Sequence, residues 1–243
     1  MFYFYAILFL IAMAVTPPAL LMLLIYKMDK VEREPPKLMR KLFLFGLLAT
    51  IPILVLEAIA EGIISIFSWS EFTGLFLMYF VVPGFVEEGV KYWMLHKKTW
   101  DEPNFNYKFD GVVYAVFISL GFALVENVMY VLSTGFMTAV LRAVISIPGH
   151  CIFGIIMGSM YGEAKALEET DAARSKKLRT KAWMIAALGH GLFDLLLVLN
   201  ENLLFAAYFI VLVVLSLRRL KKSQREDGPV RQFTAGDVDA DIL

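Results

Sequence analysis

Seven long apolar stretches dominate this sequence and restrict what it can fold into. A helix needs about 20 consecutive apolar residues to cross the roughly 30 Å hydrocarbon core of a bilayer. To within about 2–4 residues, the stretches lie at residues 2–26, 42–67, 74–96, 111–132, 137–161, 182–199 and 203–217. Hydrophobic residues make up 59% of the chain, more than a soluble domain of this length hides in one core. The sequence therefore predicts an all-α, polytopic transmembrane helix bundle of about seven spans, surrounded by membrane lipid.

Basic residues mark alternate loops between these stretches. Lys and Arg crowd the first, third and fifth loops and the segment after the last stretch, whereas residues 68–73 in the second loop contain neither. Cytoplasmic loops of membrane proteins are enriched in these residues. We therefore expect the N-terminus outside the cell and the C-terminus in the cytoplasm.

The chain divides into a membrane domain and a short tail. Residues 1–222 contain all seven stretches, and residues 223–243 are polar and end in an acidic run. Because such a segment has too little apolar surface to fold alone, we expect a disordered cytoplasmic tail. Basic and acidic residues both number 23, and this zero net charge gives no electrostatic reason to expect a nucleic-acid partner.

Ionisable side chains interrupt several of the apolar stretches. A charge at the bilayer centre costs at least ~2.5–3.5 kcal/mol on insertion scales, so it normally faces the bundle interior or a wet cavity. Three of these residues have a structural explanation by default: Arg142 can snorkel outward, and Glu57 and Glu61 can pair with it or line the cavity. The remaining set is Glu87, Glu88, Lys91, Glu126, His150, His190 and Asp194.

Helical spacing and depth bring this remaining set together. His190 and Asp194 are four residues apart and share a helix face, as do Glu87 and Lys91. With a rise of about 1.5 Å per residue, the polar groups of the third to sixth stretches converge at or just outside the bilayer midplane. Proline-glycine pairs at 83–84 and 148–149 can kink two of the helices beside this cavity. Four acids against one adjacent lysine require proton sharing, water or a bound cation.

Four motifs carry these residues, each in its own apolar stretch. Residues 87–91 are EEGVK, residues 122–127 are FALVEN and residues 190–194 are HGLFD, while His150 is followed four residues later by Gly154. In order and spacing, this set resembles the PrsW family of bacterial intramembrane proteases, itself similar to the wider Abi/CAAX-protease superfamily. The resemblance covers a motif core of about residues 74–199.

The resemblance implies a multi-pass protease of the bacterial cell membrane with a glutamate-type mechanism. Either Glu87 or Glu88 would take a proton from a water as it attacks a peptide carbonyl, with Lys91 holding one carboxylate in its charged form. The substrate would be a membrane-anchored, single-span protein. By the family pattern it would be an anti-sigma factor, cut in the first step of an envelope-stress relay through regulated intramembrane proteolysis.

Other residues of the motifs would support this reaction. His190 would stabilise the oxyanion, with Asp194 or Asn127 fixing its ring or supplying a second donor. His150 and Glu126 would position the water. We therefore take these residues, together with the glutamate pair and Lys91, as the candidate site.

Other functions use the same chemical groups. Two imidazoles and two carboxylates suit a zinc ion with an open position, which would make His150, His190, Glu126 and Asp194 the ligands of a metalloprotease. The sequence has no H-E-x-x-H motif, and we expect activity without tightly bound zinc or any other cofactor. A proton-coupled transporter also uses intramembrane acids and histidines, although no internal repeat of the transporter kind is present. An inactive scaffold is a further interpretation.

Overall fold

Seven helical segments are long and apolar enough to cross a membrane in a computed structural model that describes residues 2–230. They are Phe4–Met28, Pro36–Ser65, Glu71–Thr99, Asp110–Thr134, Phe136–Lys165, Ala172–Val198 and Asn202–Arg225. Over the described residues the chain forms no strand, apart from an isolated bridge between Tyr107 and Pro229. The predicted all-α bundle with seven spans is therefore confirmed.

Two of the seven spans are interrupted, and the others are single helices. The helices are α1 (Phe2–Met28), α2 (Pro36–Ser65), α3 (Glu71–Phe76), α4 (Val82–Thr99), α5 (Asp110–Thr134), α6 (Phe136–Val144), α7 (Ser146–Lys165), α8 (Ala172–Val198) and α9 (Asn202–Arg225). A π-helical turn, Leu77–Val81, joins α3 to α4 in the third span. Ile145 separates α6 from α7 in the fifth span.

Prolines explain both interruptions. Pro83 and Pro148 lack the N–H group that would bond to the carbonyl four residues earlier, so each removes a helical hydrogen bond and favours a local interruption on its N-terminal side. The π-helical turn ends two residues before Pro83, and Ile145, with φ of −116°, lies three residues before Pro148. The kinks expected from the proline-glycine pairs are therefore present, and both lie next to candidate site residues.

Helices α5 and α7 form the centre of the bundle. Helix α5 packs against α1, α2 and α7, while α7 also packs against α8 and α9. Glycines allow the close approach: a Cβ added to Gly158 would lie 2.6 Å from Val112 Cα. Small residues at such crossings are typical of membrane helices, whose association depends on close backbone packing.

Helices α8 and α9 extend furthest beyond the apolar stretches that marked them. Helix α8 begins at Ala172, ten residues before the predicted span, where Asp171 caps it by accepting from Arg174 N at 2.9 Å. Helix α9 continues to Arg225. Hydropathy marks only the apolar part of a helix, whereas Lys, Arg and Gln are good helix formers and prolong it into water.

The beginning of the predicted disordered tail is ordered, which corrects that prediction for residues 223–230. After α9, the chain packs against the loop before α5: Val230 N donates to Asn106 O at 2.8 Å, and Phe109 N donates to Asp227 Oδ1 at 2.9 Å. Val230 is buried. The rest of the predicted tail, residues 231–243, lies outside the described residues.

Candidate active site

Helix α4 places two glutamates and a lysine in the bundle interior. Because residues three and four apart share a helix face, Lys91 Nζ reaches both carboxylates, at 2.8 Å from Glu87 Oε2 and 2.9 Å from Glu88 Oε1. Glu88 is 0% exposed and Glu87 is 6% exposed. A buried charge is tolerated only when it is paired, and here one ammonium serves two carboxylates.

Helix α8 brings His190 onto this glutamate pair. His190 Nδ1 lies 2.9 Å from Glu88 Oε1, and Nε2 lies 3.4 Å from Asp194 Oδ2 on the same helix face. The ring of Phe153 stacks on the imidazole with 5.0 Å between ring centroids. His190 therefore links the glutamate pair to Asp194, as the spacing of the HGLFD motif predicted.

Helix α7 supplies the second imidazole. His150 Nδ1 lies 3.3 Å from Lys91 Nζ, and Nε2 lies 2.9 Å from Glu126 Oε2. Its ring is nearly perpendicular to that of His190, with 5.2 Å between the centroids. The two histidines thus stand side by side on the glutamate-lysine cluster.

Arg142 contacts the candidate site, although the sequence predicted only a structural role for it. Its Nη2 lies 2.7 Å from Glu126 Oε2, and its Nε donates to Asn127 Oδ1 at 3.0 Å. Asn127 in turn donates to Ala14 O, so it contacts Arg142 and not His190, contrary to one of its expected roles. The signal available in the sequence was a basic residue inside an apolar stretch, in a bundle whose intramembrane acids outnumber its intramembrane lysine.

The polar groups surround a small cavity. Its volume is about 30 Å³, and its lining residues are Glu126, Arg142, Ser146, His150, Phe153, His190, Phe193 and Asp194. A polar cavity needs about 10–15 Å³ to hold a water molecule, together with 2–4 polar partners. The cavity therefore has the size and the chemistry to hold a water between the two histidines.

All six residues expected to be catalytic lie in one connected network, and two other intramembrane acids lie outside it. Glu61 is exposed and Glu57 is half-buried, and neither forms an ion pair with Arg142 within residues 2–230. The structural interpretation of Glu57 and Glu61 therefore does not extend to a pair with Arg142.

Comparison with known families agrees with this arrangement. Residues 34–217 match a family described as PrsW family intramembrane metalloprotease. The chain belongs to the PrsW family. The match spans the glutamate pair, both cavity histidines and Arg142, so family membership supports an intramembrane protease over a transporter or an inactive scaffold.

Several curated relatives carry the name Protease PrsW. That of Clostridioides difficile is 34% identical over 220 residues, which cover 88% of this chain and 90% of the relative. That of Geobacillus kaustophilus is 32% identical over 91% of this chain and 94% of the relative, and that of Bacillus subtilis is 29% identical over 88% and 95%. No solved structure matches the chain significantly. These relatives and the seven apolar helices identify a multi-pass bacterial membrane protein.

The family description implies a metal, and the donors at the site are of a suitable kind. Ligand atoms of Glu87, Glu88, His150 and His190 lie within 4.8 Å of one another, the one such group over the described residues. This set differs from the expected zinc ligands, because the α4 glutamates replace Glu126 and Asp194. Glu88 Oε2 is also buried with no hydrogen-bond partner among the residues described.

The lysine nevertheless occupies the position that a metal would need. Lys91 Nζ bonds Glu87 and Glu88 and lies 3.3 Å from His150 Nδ1, so three of the four donors already face an ammonium. Metal ligands must offer free lone pairs, and a cation at their centre would repel Lys91. As they are arranged, these residues do not fit a metal ion.

Proposed function

We propose that this PrsW-family protein is a glutamate-type intramembrane endopeptidase, which hydrolyses a peptide bond of a membrane-anchored substrate with a water activated by the α4 glutamates. The observation that carries this proposal is the position of Lys91 Nζ, within 2.9 Å of both carboxylates and 3.3 Å from His150 Nδ1. A fixed ammonium supplies the positive charge that a metal would otherwise supply next to ionised carboxylates.

The two glutamates differ in their surroundings, and this difference supports different roles. Glu88 has no exposed surface and contacts both Lys91 and His190, so it is the residue that positions His190. Glu87 bonds Lys91 and keeps some exposed surface, so it is the carboxylate that accepts a proton. The distance of 3.8 Å between Glu87 Oε2 and His190 Nδ1 connects it to the cavity.

The cavity then sets the positions of the water and of the scissile carbonyl. Glu126 and His150 hold the water, which loses a proton towards the glutamate pair as its oxygen attacks the carbonyl carbon. His190 faces the developing oxyanion and stabilises its negative charge, with Asp194 orienting the ring. The proton held by the pair then passes to the amine that leaves.

A single-span membrane protein is the proposed substrate. The catalytic groups lie among the spans, so the scissile bond must reach them from within or next to the membrane. By the family pattern inferred from the sequence motifs, we propose an anti-sigma factor, cut in the first step of regulated intramembrane proteolysis.

A tagged single-span reporter tests the proposed mechanism. Co-expression with Glu87→Gln, Glu88→Gln or His190→Ala should reduce cleavage about 10²–10³-fold relative to wild type, because the general base, the residue that positions the oxyanion donor or the donor itself is lost. Protein level should stay near that of wild type, and cleavage should fall in the fraction of each variant that remains folded. Glu61→Gln is the matched control, because this exposed glutamate lies outside the network, and it should cleave normally. Wild-type rates in both purified α4 variants would show that the glutamate mechanism is wrong.

A zinc-dependent protease is the second candidate, favoured by the four donor atoms within 4.8 Å of one another. This reading requires Lys91 to leave its present position. Chelation of purified, active enzyme separates the two mechanisms. Stoichiometric zinc whose removal abolishes cleavage, and whose return restores it, would establish the metal mechanism, whereas full activity after chelation supports the glutamate one.

A further inference from the structure

The contacts of His150 determine which of its ring nitrogens carries the proton. Lys91 Nζ lies 3.3 Å from Nδ1, and an ammonium can only donate. Nδ1 must therefore be the acceptor in this contact. A neutral imidazole with an unprotonated Nδ1 has its proton on Nε2, and Nε2 donates to Glu126 Oε2 at 2.9 Å.

This tautomer requires Glu126 to remain an ionised acceptor inside the bundle. Arg142 Nη2 donates to the same Oε2 atom at 2.7 Å. The side chain of Glu126 is 21% exposed and that of Arg142 is 12% exposed. At such low exposure a carboxylate needs a paired charge, and Arg142 is the cation that pairs with Glu126.

The guanidinium itself is held from two further sides. Arg142 Nε donates to Asn127 Oδ1 at 3.0 Å, and fully buried Asn127 is fixed by its bond to Ala14 O on α1. The ring of Tyr130 lies 4.4 Å from the guanidinium carbon. A guanidinium that donates hydrogen bonds in two directions fixes the orientation of the Glu126 carboxylate and also keeps that carboxylate ionised.

Helix α6 delivers Arg142 as a separate unit. It has nine residues and lies between Gly135, at φ of 89°, and the break at Ile145. Ala139 is its only buried residue. The hydrogen bonds of Arg142 to Glu126 and Asn127 join this helix to the candidate network.

We propose that Arg142 is a positioning residue of the reaction: its ion pair with Glu126 holds His150 as the Nε2–H tautomer. Nδ1 of His150 then stays free to accept from Lys91, and Lys91 stays centred between Glu87 and Glu88. The role in catalysis rests on the proposed protease function, whereas the tautomer can be measured without any substrate.

Nitrogen-15 NMR of histidine-labelled protein in detergent micelles tests the tautomer directly. The chain has three histidines. The signals that are missing from the spectrum of His150→Gln therefore identify the ring nitrogens of His150. We expect wild-type His150 to be the Nε2–H form. In Arg142→Gln a substantial Nδ1–H or doubly protonated population should appear at His150. Arg219→Gln is the control, because Arg219 pairs with Glu163 at 3.3 Å outside the network, and it should leave the spectrum unchanged.

Reporter kinetics test the catalytic role. Arg142→Gln should lower kcat about tenfold or more and leave KM within about twofold, since it disturbs catalytic groups and not the substrate contacts. If Arg142 acts through Glu126, the double variant Arg142→Gln/Glu126→Gln should be no slower than Glu126→Gln alone. Arg142→Lys keeps the positive charge but loses the two-pronged guanidinium. The His150 tautomer and kcat should therefore change in the same direction as in Arg142→Gln, but by less. This variant tests the proposal even if Arg142→Gln folds poorly.

The outcomes separate this inference from the proposed function. His150 in the Nδ1–H form in wild type, or an unchanged tautomer and kcat in both Arg142 variants, would overturn the role of Arg142. If the role of Arg142 were overturned in this way but Glu88→Gln were inactive, the proposed glutamate mechanism would still be supported. Conversely, full activity of Glu87→Gln and Glu88→Gln would show that the proposed mechanism is wrong. The NMR experiment would still decide whether Arg142 determines the tautomer of His150.

Discussion

His190 Nδ1 and Glu88 Oε1 lie 2.9 Å apart where α8 crosses α4. The two backbones meet closely at this crossing, because a Cβ added to Gly84 would lie 2.5 Å from Ala187 O and 3.0 Å from Gly191 N. Helices approach to this distance only where one of them lacks a side chain. The hydrogen bond between the EEGVK and HGLFD motifs therefore depends on the glycine that follows Pro83.

Gly84→Ala should separate α4 from α8 and weaken this hydrogen bond. Overpacking of this kind costs about 1–3 kcal/mol, and we expect a lower thermal midpoint together with a loss of reporter cleavage of roughly tenfold or more, as expected when a catalytic donor is misplaced. Purified protein in detergent serves for both measurements. Gly89→Ala is the matched control on the same helix, because its added Cβ meets nothing within 4 Å. Normal cleavage by Gly84→Ala would contradict the proposed dependence.

The sequence predicted the spans and most of the site for the same physical reason. Charges in lipid are costly, so most intramembrane acids and histidines were expected to face the interior, and spacing along α4 and α8 placed Glu87 with Lys91 and His190 with Asp194. Apolar length alone located the seven spans. The structure confirms the seven spans and shows both residue pairs in contact, whereas Glu61 is exposed.

The sequence could not predict the contacts that depend on breaks and on other helices. Extrapolating a regular helix from His150 back to Arg142 fails, because the chain turns at Ile145. The pair of Arg142 with Glu126 therefore had no sequence signature. Order in residues 226–230 was missed for a related reason: their partners, such as Asn106, are distant in sequence.

Lys91→Ala should convert the site into one that binds metal. Loss of one partner of a buried ion pair costs about 3–5 kcal/mol, so the variant should have a lower thermal midpoint and no cleavage. The remaining donors, within 4.8 Å of one another, suit zinc once the ammonium is gone. Added zinc should therefore raise the midpoint of Lys91→Ala and appear near one equivalent by mass spectrometry of the metal.

Wild type and Lys97→Ala serve as controls for the lysine prediction. Lys97 is exposed and lies over the Trp93 ring, 4.9 Å from its centroid, so its loss removes a charge without opening the site. Neither control protein should gain a zinc-dependent midpoint. Equal zinc content in wild type and Lys91→Ala would count against the view that Lys91 takes the place of a metal.

Two buried acids in the loop between α1 and α2 give the fold a pH dependence. Asp29 and Glu34 are 1% and 3% exposed, and three of their four carboxylate oxygens lack a hydrogen-bond partner within residues 2–230. Burial raises the pKa of Asp29 to about 6 and that of Glu34 to about 7. The charged or titratable groups that face them are Glu32, Arg33, Asp110, Tyr114 and Asp227.

Glu34→Gln should reduce the loss of stability that wild type shows as pH rises. The unfolded chain releases the Glu34 proton near its ordinary pKa of 4.5, and the folded protein holds it to about 7. Stability from this group is therefore complete below about pH 4.5, declines as pH rises to about 7 and is constant above, a change of about 1–3 kcal/mol. Thermal midpoints between pH 5 and 8 measure it.

The control for the pH prediction is Glu201→Gln, which removes an exposed carboxylate between α8 and α9. Its midpoint should follow wild type at every pH. Relative to wild type, Glu34→Gln should gain stability steadily from pH 5 to 7. A difference between these two proteins that is independent of pH would show that Glu34 is not a titrating group of the fold.

One end of the bundle brings together the loops that carry most of the basic residues. Asn106 Nδ2 donates to Glu32 Oε2 at 3.1 Å, and Gln224 Nε2 donates to Met28 O. The first loop, the third loop and the end of α9 therefore share one side of the membrane, as the alternation of basic loops requires.

We predict that this shared side is the cytoplasmic one, because Lys and Arg are retained on that side of the membrane during insertion. Arg33→Cys places a thiol in the exposed first loop, and Ser68→Cys places one in the exposed second loop at the opposite end. The native Cys151 is the only cysteine and is buried, so it should give little background. An impermeant maleimide added to intact cells should label position 68 strongly and position 33 only after the cells are permeabilised. Labelling of position 33 in cells shown to be intact would reverse the orientation, and it would then place the cavity nearer the cytoplasmic face.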